Sequence, residues 1–305
     1  MTKLLFLDFE TFFSADYSLS KMSTPEYILS PQFECICCAV KEDKAPARLI
    51  DGPDFPAFLA QYDPNDTVTV TFNSLFDNSI LAWRYGFIPR MMLDTLGLAR
   101  ALCGSKLRSF SLSSVADYLK IGSKGTSLLK VKGMRRQDIF NAGLWKEFGD
   151  YAIQDVNLCA GIYDRLSPKF PSAERRVMDM VLRCCVEPRF HVDIALLEQH
   201  LLDVRAHKET LLAATGVEVG DLMSTAKFAA LLEGLGVAVE MKVSPTGKSI
   251  PAIAKTDAFL AELQEHSDPR VQALVCARLG HKSTLIETRI EKFLSIAKLD
   301  WSFLK

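Results

Sequence analysis

KLLFLDFETFF, residues 3–13, is an apolar run interrupted by two carboxylates, Asp8 and Glu10. Its first eight residues read as a central strand covered on both faces. Side chains in a strand alternate with period 2. Phe6, Asp8 and Glu10 therefore share one face, and Leu5, Leu7 and Phe9 share the other. Two like charges on one face of a buried strand repel and lose hydration. A buried carboxylate persists only when it is paired, protonated or bound to a cation. Two readings follow. Either the strand ends near Asp8 and both acids face water, or the pair belongs to a divalent-cation site that draws further oxygen ligands from elsewhere.

Further ligands stand at two places. The β-branched strand TVTVTF (67–72) runs straight into the helical pattern NSLFDNSILAWRYG (73–86). Asn73 occupies the N-cap position and Asp77 the first helical turns, at the carboxyl end of a strand, where sites gather in α/β sheets. An acid in a first turn is also favoured simply by the helix dipole. The second place is the long amphipathic helix LWKEFGDYAIQDVNLCAGIYDRL (144–166). Tyr151 and Asp155 lie four residues apart on it and project from one face; taken singly, they read as an ordinary helix aromatic and a solvated acid.

Around these segments, ECICCAVK (34–41) and ARLID (47–51) read as strands, and FPAFLAQY (55–62), DTLGLARALCG (94–104) and LSSVADYLK (112–120) as helices. Strands mixed with helices argue an α/β sheet with helices packed on it. SPKFPS (167–172) carries two prolines and reads as a linker, giving domains at 1–168 and 169–305. The second is mainly helical. Its last pattern, residues 268–297, would span about 45 Å as one helix, with Gly280 as the candidate break.

At 305 residues, with 49% hydrophobic and 24% charged, the composition is that of a globular protein of about two domains. Lys plus Arg number 36 and Asp plus Glu 37, a net charge of -1, so any nucleic-acid site must be local rather than a global basic field. No apolar run reaches the ~18 residues of a membrane span, and no signal peptide is read at the N-terminus. Cys35, Cys37 and Cys38 sit in a buried strand as small apolar residues, which fits structural thiols in a reducing, cytoplasmic setting. One local basic stretch exists: Arg100, Lys106, Arg108, Lys120, Lys124, Lys130, Lys132, Arg135 and Arg136 accompany a single acid, Asp117. It reads either as a phosphate-tracking surface or as a solvated loop. PTGKS (245–249) has Lys242 where a Walker A loop needs glycine, and is rejected as a triphosphate site.

Taken together, D-x-E at Asp8 and Glu10, Asn73 with Phe76-Asp77, and Tyr151 four residues before Asp155 resemble the three exonuclease motifs of the DEDD superfamily, in its tyrosine (DEDDy) branch. Residues 7–34 further resemble the opening of the 3′–5′ exonuclease domain of bacteriophage DNA polymerases related to polymerase I. Leu93-Asp94-Thr95 matches a step after their second motif, and residues 243–297 resemble the thumb-side segment before the polymerase palm. The resemblance covers nearly the whole chain. It implies a ribonuclease H-like mixed-sheet domain followed by a helical thumb-like segment. It also implies two divalent cations, Mg2+ or Mn2+, held by Asp8, Glu10, Asp77 and Asp155, with Tyr151 orienting the attacking water. The substrate it implies is single-stranded DNA or a frayed 3′ end, contacted at Thr11, Phe12, Asn73, Lys106 and Arg108. Ser14 stands where family members place a leucine wedge; Phe12 and Phe13 read either as substitutes for it or as core aromatics. No D-Y-S-x-I-E or H-D-E element follows. The resemblance therefore implies a monomeric proofreading unit that does not polymerise alone, either as a fragment or as a subunit whose polymerase half is a separate chain. An RNase D-type exoribonuclease and a non-catalytic DNA-binding or polymerase-docking module are the alternatives.

Overall fold

The computed structural model describes residues 2–123 and 130–302. It divides into two compact units, Met1–Phe190 with Leu299–Lys305, and His191–Lys298.

The first unit is built on strands β1 (Lys3–Thr11), β2 (Cys35–Glu42), β3 (Arg48–Asp51), β4 (Thr67–Thr71) and β5 (Met91–Asp94). Its helices are α1 (Thr24–Leu29), α2 (Phe55–Leu59), α3 (Ser74–Tyr85), α4 (Thr95–Cys103), α5 (Leu112–Leu119), α6 (Arg136–Asn141), α7 (Trp145–Leu166) and α8 (Ser172–Val186). The five strands form one sheet in the order β3-β2-β1-β4-β5. β2 runs antiparallel to both its neighbours, while β1, β4 and β5 are mutually parallel. This is a mixed sheet with helices packed on it, the α/β class that the sequence pattern argues.

β1 is central, and its alternation is as the sequence dictates. Leu5, Leu7 and Phe9 enter a core with Ile80 and Leu81 of α3 and Phe55 and Phe58 of α2. Phe6 enters a separate core with Val68 and Val70 of β4 and Ala152, Val156 and Cys159 of α7. Both faces of β1 are thus covered, which is why it is a continuous apolar run.

The compact unit does not stop at residue 168. SPKFPS makes a short turn, Ser167–Lys169, and α8 then folds back over the outer edge of the sheet. The N–H of Met92 on β5 donates to Asp179 Oδ1 at 2.8 Å, and Arg183 donates to the carbonyls of Pro89 at 2.6 Å and Arg90 at 2.9 Å. An edge strand offers unpaired backbone groups, and α8 satisfies them with side chains. The Trp83 indole N–H donates to the Val186 carbonyl at 2.8 Å, fixing the far end of α8.

The second unit holds α9 (Ile194–Ala213), α10 (Val219–Met223), α11 (Thr225–Gly234), the hairpin β6 (Met241–Val243) and β7 (Ser249–Pro251), α12 (Ala258–Glu262), α13 (Pro269–Lys282) and α14 (Leu285–Ala297). Its core gathers Leu222, Phe228, Leu232, Leu260, Val271 and Val275. The expected long terminal helix is two helices, and the break falls at Ser283–Thr284 rather than Gly280. Gly280 lies inside α13, where a Cβ would stand 3.2 Å from Leu211 of α9. Its role is close helix packing. Ser283 instead leaves the helix in extended conformation, its N–H bonded back to the Leu279 and Gly280 carbonyls. Among the described residues no helix is long and apolar enough to cross a membrane.

Candidate active site

β1 pairs with β4 only from Lys3 to Phe6. Beyond Phe6 the β4 chain has turned away into α3, and this edge of β1 needs another partner. Asp77, in the first turn of α3, supplies it: the Phe9 N–H donates to Asp77 Oδ1 at 3.1 Å. The second sequence motif is thereby bonded to the first, between Asp8 and Glu10.

The turn that carries Asp77 is itself held. Asn73 has left-handed backbone, φ 67°, and its side chain makes no cap hydrogen bond. It does not act as the side-chain cap that its position suggests; it is there because Asn tolerates that conformation. The capping is done from β5. Asp94 Oδ1 accepts the N–H groups of Asn73 at 2.9 Å, Ser74 at 3.3 Å and Leu96 at 3.0 Å. Thr95 donates its hydroxyl to the Thr71 carbonyl at 3.0 Å. Asp94 and Thr95 were legible only through resemblance; the structure gives them work as the brace of the β4–α3 turn.

The third motif arrives from the other face. α7 packs Ala152, Val156 and Cys159 against the side of β1 that bears Phe6, Asp8 and Glu10. Tyr151 and Asp155, 3% and 4% exposed, lie on the same helix. Burial, then the charges of Asp155 and Glu10, and more weakly Asp8, push the Tyr151 phenol far above its ordinary value. Burial, then the charge of Asp8, pushes the Asp77 carboxyl well above the usual carboxylate range, against the pull of the Phe9 N–H. The charge of Asp8 thus acts on both Asp77 and Tyr151, and that of Glu10 on Tyr151. The three segments that carry the sequence-predicted residues lie together at β1.

The donor set consists of hard carboxylate oxygens in a crowded, like-charged, largely buried setting, which is the chemistry that suits Mg2+ or Mn2+. As the side chains stand, no three His, Cys, Asp or Glu among the described residues draw together into a ready-made ligand group.

The residues expected to contact DNA are placed unevenly. Asn73, Lys106 and Arg108 are exposed. The Thr11 hydroxyl lies 2.8 Å from the Tyr27 hydroxyl. Phe12 is a core ring, 8% exposed, stacked on Tyr17 and covered by the Arg135 guanidinium 4.2 Å from its centroid. It offers no free face to a base; Phe13 and Ser14 are half-buried. The basic stretch splits as well. Lys130 pairs with Glu147 at 2.9 Å, Arg135 with Glu34 at 2.7 Å, and Arg136 with Asp51. Arg100, Lys106, Arg108, Lys120 and Lys132 are exposed, and Lys124 lies outside the described residues. A cavity of about 380 Å3 lined by Phe33, Arg84, Tyr85 and Arg136 includes none of the five acid-site residues.

No family model matches the chain, and no curated protein matches it. Among solved structures it is similar to NrnC of Brucella melitensis with bound Mg2+, at 17% identity over 61% of this chain and 85% of that one, with a TM-score of 0.41. It is also similar to the POL domain of Pol1 from M. smegmatis in complex with DNA primer-template and dNTP. That match has 17% identity over 95% of this chain and 47% of that one, with a TM-score of 0.55. The chain spans about half the length of that polymerase structure. At this identity the likeness to it is one of fold.

Proposed function

We propose that this chain is a metal-dependent 3′–5′ exonuclease of the proofreading type, acting on single-stranded DNA or frayed 3′ ends and releasing nucleoside 5′-monophosphates. The observation that supports the reading is the approach of three distant segments: Asp77 is bonded to the backbone between Asp8 and Glu10, the charge of Asp8 acts on Asp77, and those of Asp155, Glu10 and Asp8 act on Tyr151. A structural acid gains nothing from like-charged neighbours, whereas a site for divalent cations needs them.

Asp8, whose charge acts on both Asp77 and Tyr151, would touch both ions, with Glu10 and Asp155 on one and Asp77 on the other. When bound, such a pair supplies an activated water for attack on the phosphodiester and neutralises charge on the leaving 3′ oxygen. The chain's own residues do the rest. The Tyr151 phenol keeps its proton at neutral pH, so it acts as a donor that orients the attacking water and not as a base. Exposed Asn73, Lys106 and Arg108 supply polar and cationic contacts to the strand. The helical second unit is read as a thumb-side segment.

The test is a 5′-labelled single-stranded DNA with Mg2+ or Mn2+, beside Asp8→Ala. A ladder shortening from the 3′ end, absent in the variant, supports the reading. No shortening with either metal overturns it in favour of a binding module, and faster loss of a matched RNA overturns its DNA specificity.

A further inference from the structure

We propose that Tyr27 is a positioning residue of this site, clamping the end of β1 just past Glu10 to the start of α3 that carries Asp77. The inference rests on the exonuclease reading above.

The register of β1 on β2 shifts between Glu10 and Thr11. The regular ladder that holds Asp8 and Glu10 is interrupted there: Thr11 pairs with Cys35 and the Phe12 N–H donates to the Glu34 carbonyl at 3.0 Å, while the Phe12 carbonyl is taken by the side chain of Tyr27. Its O–H donates to the Phe12 carbonyl at 2.5 Å, and its oxygen lies 2.8 Å from Thr11 Oγ1. A phenol has one proton, and a carbonyl cannot donate. The Thr11 hydroxyl must then be the donor to Tyr27, which locks the Thr11 side chain along with the backbone of Phe12.

The ring makes the second half of the clamp. Tyr27 is 2% exposed, stacks on Tyr17 at 4.5 Å and meets Phe76, the residue before Asp77, at 6.0 Å between centroids. Tyr27 is held from behind: the Tyr17 hydroxyl donates to its carbonyl at 2.6 Å, and α1 is started by a capping box in which the Ser23 N–H donates to Glu26 at 2.8 Å. One side chain thus ties the two residues after Glu10 to the residue before Asp77. The ring alone would fill the core; the hydroxyl is what reaches the backbone at the end of β1.

Tyr27→Phe keeps the ring and removes both bonds, and Thr11→Val removes one. The two variants, their double and wild type are compared in kcat and KM on single-stranded DNA. Mn2+ affinity by calorimetry and near-ultraviolet circular dichroism are followed in parallel. Tyr27→Phe should lower kcat and Mn2+ affinity about tenfold, the effect of losing a group that supports metal ligands, with KM within about twofold. Thr11→Val should lower kcat about threefold, the size of one neutral hydrogen bond, and the double variant should be no worse than Tyr27→Phe. A folded Tyr27→Phe with wild-type kcat, a loss confined to KM, or unchanged Mn2+ affinity overturns the proposal. If Tyr27→Phe does not fold, Thr11→Val decides by the same measures. A wild-type chain that binds Mn2+ but leaves DNA intact overturns the exonuclease reading instead, and the Mn2+ comparison still judges Tyr27.

Discussion

The Asp77 carboxylate accepts the backbone N–H of Phe9 across 68 positions of sequence, at 3.1 Å and out of contact with water. The same side chain is both an expected ligand and a structural acceptor, and two substitutions separate the roles. Asp77→Asn keeps an oxygen for Phe9 and loses the charge. Asp77→Ala leaves a buried N–H without an acceptor, at a cost of about 1–3 kcal/mol. Both should lose more than about 100-fold in exonuclease rate, while only Asp77→Ala should show lower stability in urea. Equal stability of the two would mean that the bond contributes nothing.

Tyr151 and Asp8 should rank in a fixed order. On the proposed reading Tyr151 only orients a water, whereas Asp8, whose charge acts on both Asp77 and Tyr151, is a ligand. Tyr151→Phe should therefore lose less activity than Asp8→Ala. Single-turnover rates on the same oligonucleotide give the ranking, and the reverse order would remove Asp8 from the centre of the site.

Lys106 and Arg108 are exposed on the segment between α4 and α5, unlike Lys130, Arg135 and Arg136, whose charges are matched by acids. If they track phosphates, changing either to Ala should reduce the slope of log affinity against log salt by about 0.7, the share of one phosphate contact on a single strand. The same change at Lys130 should leave the slope alone. Fluorescence anisotropy with a labelled single strand in EDTA measures both.

Asp268 caps α13 by accepting the Arg270 N–H at 2.8 Å, and its carboxyl is held at about 2, below the ordinary 3.8, chiefly by the Arg270 side chain. A depressed folded value means that the stabilisation is present above 3.8 and is lost as pH falls through about 2. Asp268→Asn keeps the cap oxygen and removes the charge. Wild type should exceed the variant in melting temperature at pH 5, and the gap should close towards pH 2. A gap that is constant with pH would assign the effect to the cap alone.

Much of the first unit was legible in local pattern. β1, β2 and β4 are apolar or β-branched runs of five to nine residues, and α3 and α7 carry clear helical periodicity. β5 was missed because its four residues, Met91–Asp94, have no alternation of their own; they are a strand because β4 and α8 flank them. α1 was missed although Ser23, Pro25 and Glu26 spell a helix start, since six residues leave no periodicity to read. Asp94 could be noticed in sequence, and its bond to the Leu96 N–H is local, but its partners Asn73 and Ser74 lie 21 and 20 residues away and appear only when β4 and β5 pair.

Residue order settled which atoms share a face. Period 2 placed Asp8 beside Glu10, and a spacing of four placed Tyr151 beside Asp155, because those geometries are properties of a strand and a helix wherever they occur. Whether the three motifs meet was a matter of packing. Asp77 reaches Phe9 because β4 leaves β1 early, and α7 reaches Asp8 because Ala152 and Val156 bury against Phe6. Phe12 shows the same limit from the other side. As a residue after an acidic motif it read either as a stacking surface or as a core aromatic, and contacts with Tyr17 and Arg135 decided for the core. Local geometry follows from neighbours in the chain; burial follows from neighbours in space, which no window of sequence contains.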